Sequence, residues 1–196
     1  SNLVSVLDVT MKQQLIESKM RLLIERARLY VDGLEYDLFE QDSSAILQLN
    51  DLITTHTTTT TDEIMYQIWM LKADVFWDKK QYTDVLLCCN HAQSYPSDSY
   101  LYYRRASAYR RLKHYTMAIN DYSKILVTDC ENVQVLVNCA ESYIRTLDFQ
   151  SALALTKKAL ALDARNKFSK AVLAAKEKGW PIQYASQNQA NAKLIG

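Results

Sequence analysis

Three glycines and two prolines among 196 residues are too few for a loop-rich β architecture, which uses both at its turns. The shortage favours long helices joined by short connections. No run of about 18 apolar residues occurs, so no segment reads as a membrane span. Charge of one sign is also lacking. The 23 Lys and Arg against 22 Asp and Glu leave +1, which gives no overall pull toward nucleic acid or an anionic membrane. Residues 1–10 lack the basic start and apolar stretch of a signal peptide, which favours a cytoplasmic or nuclear setting. The opening Ser1-Asn2 is compatible with an expression remnant on part of a longer protein.

The chemistry-bearing residues are sparse as well. Cys88, Cys89, Cys130 and Cys139 form no CxxC and no Cys/His pair at ligand spacing, so they read as reduced structural thiols, not a metal site. His56, His91 and His114 are scattered, and no nucleophile stands with a base. No catalytic residue, metal or cofactor is expected.

What the chain does have is apolar content of 48%, enough for a real core, and self-similarity. Ala106, Tyr109, Tyr115, Ala118, Lys124, Leu126, Asp129 and Asn132 recur 34 residues later as Ala140, Tyr143, Phe149, Ala152, Lys158, Leu160, Asp163 and Asn166. A backward shift of 33 pairs Tyr102 with Trp69, Ala106 with Ala73, Tyr115 with Tyr82 and Ala118 with Val85. A large residue, a small one four later and an aromatic three later share one helical face. The small residue lets a second helix approach. A turn aromatic then opens a second stripe, so each unit is an antiparallel helix pair that must stack on its neighbours to bury its faces.

These units resemble tetratricopeptide repeats (TPRs), which place large, small and aromatic residues at such positions. The resemblance covers 66–98, 99–132 and 133–166, about half the chain. The usual proline near the repeat end is missing where Cys130 and Ala164 stand, and Pro96 lies one place early in a repeat shortened by one. It implies an all-α, right-handed superhelix of stacked helix pairs. Upstream, within 1–65, Leu23, Ala27 and Tyr30 fit the first helix of a degenerate unit and Ala45, Leu49 and Leu52 its second. The 46 residues from Ala27 to Ala73 then call for two six-residue extensions, one near 33–42 and one in the threonine run 54–61, expected as a loop. In 167–196, residues 167–178 read as a capping helix with Phe168, Val172 and Ala175 inward, followed by an amide-rich tail.

In this family the first helix of each pair lines a concave groove. The positions carried over are Gln67, Met70, Asp74 and Trp77; Tyr100, Tyr103, Ser107 and Arg110; and Gln134, Val137, Glu141 and Ile144. Their aromatic and apolar content suits a protein or peptide partner with apolar anchors, steered by Arg110 against Asp74 and Glu141. Two other occupants stay open: a helix of the same chain, such as the tail, or a second copy in a homodimer. The family's carboxylate clamp for acidic chaperone tails is not expected. Its basic and amide positions hold Met70, Asp74, Arg104, Gln134 and Asn138 here, and Asp74 would repel a carboxylate.

The basic run within 102–126 admits a nucleic-acid reading. On the repeat frame its arginines spread around a helix pair, with Arg105 and Arg111 expected in solvent, which disfavours that reading. The expected function is a non-catalytic scaffold or adaptor. The alternatives are a small chaperone or escort like those of type III secretion, or a structural subunit of a larger complex.

Overall fold

The computed structural model describes residues 2–52, 59–95 and 98–177. Every regular element among them is an α-helix: α1 (Asn2–Asp32), α2 (Tyr36–Asp51), α3 (Thr59–Asp78), α4 (Tyr82–Ala92), α5 (Ser99–Arg111), α6 (Tyr115–Thr128), α7 (Val133–Arg145), α8 (Phe149–Leu162) and α9 (Lys167–Glu177). The chain divides into two compact units, Ser1–Arg104 and Arg105–Gly196, and the division falls within α5.

In the first unit α1 packs on α2 and α3 on α4. Met20, Ile24 and Ala27 of α1 meet Phe39 and Ile46 of α2 and Ile64, Ile68 and Val75 of α3 in one core. In the second unit α7 packs on α6 and α8, and α9 on α8. Val172 of α9 joins Ile144 and Ala152, with Phe168 and Ala175 against them. The small residues Ala27, Ala73, Ala106 and Ala140 are wholly buried, as are Ala118 and Ala152. A longer side chain at any of them would push a helix pair apart.

Four turns repeat one geometry. Leu34, Lys80, Lys113 and Leu147 take positive φ of 60°, 59°, 65° and 66°. Just after each, a backbone N–H donates to the carbonyl of a repeat aromatic: Glu35 to Tyr30, Gln81 to Phe76, His114 to Tyr109 and Asp148 to Tyr143, at 2.8 to 3.0 Å. This closes the helix in a Schellman turn. The spacing from Leu34 to Lys80 is the 46 residues that separate Ala27 from Ala73, so the N-terminal unit turns in the same frame as the others.

That frame corrects the reading of α2. Its buried residues are Phe39, Asp42, Ser43 and Ile46. Leu49 packs half-buried against the same core, Ala45 is half-buried and Leu52 is exposed. Helix α2 opens at Tyr36 directly after the turn, so no extension lies near 33–42. The extra length falls partly after α2 and partly within α3, which has 20 residues where α5 and α7 have 13. The loop expected at 54–61 lies partly in 53–58, outside the described residues, while Thr59 opens α3 and Thr61 is buried, its hydroxyl donating to Glu17.

Asparagine and aspartate cap the first turns of α5, α7 and α9. Asn132 Oδ1 accepts from the Val135 N–H at 3.1 Å, Asn166 Oδ1 from Ser169 at 2.9 Å and Asp98 Oδ1 from Tyr100 at 2.9 Å. Each satisfies an orphan donor in a helix's first turn. The recurrence of asparagine at 132 and 166 is thus a capping requirement.

Candidate partner-binding faces

The first unit carries its candidate residues on α3 and the start of α5. Gln67, Met70, Asp74 and Trp77 step along one face of α3 at spacings of three and four. Met70 is buried against Ala92 and Leu101, so it belongs to the core. Gln67 donates to Glu63 at 3.3 Å. Trp77 is half-buried, edge-on to Tyr82 with ring centroids 5.3 Å apart. Tyr103 is half-buried and Tyr100 exposed.

Asp74, Trp77 and Tyr100 meet around Arg104. The Tyr100 hydroxyl donates to the Asp74 carboxylate at 2.7 and 2.8 Å and accepts from Arg104 Nη2 at 2.6 Å. Arg104 also pairs with Asp74 at 2.7 Å, and its guanidinium lies 5.1 Å from the Trp77 ring centroid and 5.3 Å from that of Tyr100. Burial raises the Asp74 carboxyl above its ordinary value even against the pull of Arg104. Burial also pushes the Tyr100 hydroxyl up to about 12. Arg104 itself is drawn down by burial, but the Tyr100 hydrogen bond and the Asp74 charge outweigh this and hold it protonated.

The second unit carries the remaining residues. Arg110 Nη1 donates to Glu141 Oε2 at 2.6 Å, joining α5 to α7. Gln134 is exposed and donates to Asn138 at 3.1 Å, and Val137 is half-buried. Ser107 is buried with its hydroxyl 3.1 Å from that of Tyr122, and Ile144 lies in the core with Ala152 and Val172. Met70, Ser107 and Ile144 therefore face inward, and Gln67, Asp74, Trp77, Tyr100, Tyr103, Arg110, Gln134, Val137 and Glu141 retain surface.

One charge expectation is corrected. Arg105, expected in solvent, is 6% exposed and forks onto Asp121 of α6 at 2.7 and 3.0 Å. A buried guanidinium needs such a bidentate partner. Arg26, itself exposed, forks likewise onto the buried Asp42, at 2.7 and 2.6 Å. Both pairs span 16 residues from the first helix of a unit to the second, and that shared spacing was the available sequence signal. Lys72, at the matching place in the next unit, pairs instead with Glu40 at 2.9 Å. Among the described residues no group of three or more His, Cys, Asp or Glu could hold a metal ion, and no helix is long and apolar enough to cross a membrane.

The chain has the tetratricopeptide-repeat fold. It is similar to a tetratricopeptide repeat protein from Parabacteroides merdae, with a TM-score of 0.68 and 18% identity over 83% of this chain and 61% of that one. The TPR domain of Arabidopsis OM64 gives 0.53 and 21% identity over 62% of this chain and 98% of its own. The second TPR domain of human RPAP3, solved in complex with an HSP70 peptide, gives 0.53 and 16% over 58% and 95%. No protein-family model matches the sequence, and no curated protein does.

Proposed function

We propose that the protein is a non-catalytic interaction module, a scaffold or adaptor that takes a peptide or helix of a partner protein on the first helices of its repeats. The observation that carries this reading is the surface left on those helices once the core is assigned. Trp77, Tyr100, Tyr103 and Val137 keep rings and apolar groups at the surface without a core role that explains all of their area. The peptide bound by the human RPAP3 domain supports the class of ligand.

The charges argue for apolar anchors over an acidic tail. Arg104 is held by Asp74, and Arg110 by Glu141, so neither presents an uncommitted cation to a carboxylate. The same neutralisation, with Arg105 on Asp121, removes the basic stripe that a nucleic-acid ligand needs. Cys88, Cys89, Cys130 and Cys139 form no disulfide, and three of them are buried, which suits a reducing cytoplasmic or nuclear compartment.

The test is partner recovery from cell extract by the native chain and by a variant with Tyr103→Glu and Val137→Glu. Charging half-buried surface positions should leave helical circular dichroism unchanged and lower recovery about tenfold, as losing a central anchor does. Undiminished recovery with the folded variant refutes this use of the first helices.

A further inference from the structure

Helix α1 buries one face and leaves an apolar stripe on the other. Met20, Ile24 and Ala27 are 0%, 2% and 0% exposed. On the opposite side Met11, Leu15, Leu22 and Leu29 are 69%, 70%, 74% and 69% exposed. Leu15, Leu22 and Leu29 stand seven residues apart, and Met11 lies four before the first. With Ser18 and Glu25 between them they form a seam at heptad spacing, about 27 Å long at 1.5 Å per residue. A depression of 390 Å³ lined by Met11, Lys12, Gln14, Leu15 and Ser18 opens at one end of it. No core duty accounts for leucines so placed, and contiguous exposed apolar surface marks an interaction site.

The flanks identify the occupant. Lys12, Lys19 and Arg26 border one side of the seam, and Gln14, Arg21 and Arg28 the other. Over 11–29 the helix has five cations and two acids, Glu17 and Glu25. Arg26 is held by Asp42, and Arg28 by Glu25 at 3.1 Å. Arg21 donates to the Thr60 hydroxyl, and among the described residues no carboxylate lies within ion-pair distance of Lys19 or Arg21. Pairing with a second copy would set flanking cations against flanking cations, in parallel and antiparallel alignment alike. Acidic flanks on the partner turn the same positions into attractions.

We infer that the outer face of α1 docks an amphipathic helix of a partner protein, with leucine-like residues at heptad spacing and acidic residues beside them. This surface is separate from the first-helix positions of the repeats, and its occupancy does not depend on theirs.

Two fluorescein-labelled three-heptad helices with identical leucine seams, one flanked by Glu and one by Lys, are titrated with the full chain and followed by anisotropy. The Glu helix should bind at least about tenfold tighter than the Lys helix and weaken as salt is raised. Leu15→Glu with Leu22→Glu should abolish binding and leave the thermal melt unchanged, and Tyr103→Glu with Val137→Glu should leave binding intact. The inference is overturned if neither helix binds, if both bind equally, or if binding survives the leucine substitutions. It is equally overturned if sedimentation shows a dimer that those substitutions dissociate, since a second copy would then cover the stripe.

Discussion

At the scale of single residues, the repeat turns show most directly how local chemistry sets the fold. Leu34, Lys80, Lys113 and Leu147 hold a left-handed backbone that costs a side-chain-bearing residue roughly 1 kcal/mol, where glycine would be unstrained. The shortage of glycine is thus met by strain at four turns, each compensated by packing of the pairs it joins. Lys113→Gly should raise stability, by a few tenths to about 1 kcal/mol, because relief of the turn outweighs the added freedom of the unfolded chain. A thermal melt checks it, with a rise of about 2 °C expected.

The thiols give a second test at this scale. Burial pushes Cys88 and Cys139 up to about 12 from an ordinary 9.0, and Cys89 is buried with them, while Cys130 is exposed. A raised thiol favours the neutral form in the fold. Its contribution is therefore fully present below 9.0 and eroded as the pH climbs from there toward 12. Thiol titration of the native protein near about pH 8 should consume one equivalent quickly, at Cys130, and the other three only after urea.

At the scale of the helix pair, the fold was legible because its signal is periodic. The spacing of Ala73, Ala106 and Ala140 with their aromatics states which face is inside. Caps at Asn132 and Asn166 repeat with the same period. Other features lack a periodic signal. The 12 residues by which the gap from Ala27 to Ala73 exceeds one 34-residue repeat could be divided in several ways, and only the left-handed turn at Leu34 places Tyr36 as the start of α2. Arg105 reads as solvated because charge alone suggests a surface, and its carboxylate lies on another helix. Met70 and Ile144 read as groove residues because the pattern cannot show how far a neighbouring helix covers them.

The buried pair gives the prediction at this scale. Asp121→Ala leaves the Arg105 guanidinium buried without its main carboxylate and should cost about 3–5 kcal/mol. The double variant Arg105→Met with Asp121→Leu removes both charges and should recover most of that loss. Urea denaturation of the three proteins measures the difference. A double variant as unstable as the single would show that the two helices depend on the ion pair itself.

At the scale of the whole molecule, function rests on what the repeats leave uncovered, since the fold alone serves many partners. Among the described residues, the uncovered surfaces that matter here are the aromatic positions of the first helices and the leucine stripe of α1. The most direct measurement is quantitative partner recovery by the native chain, by Tyr103→Glu with Val137→Glu, and by Val127→Glu, a control at a side chain of α6 that is 84% exposed. The account predicts that the control recovers partners like the native chain, while the first-helix variant loses about tenfold the partners held at those positions, at unchanged helicity. Equal recovery by all three proteins would contradict it.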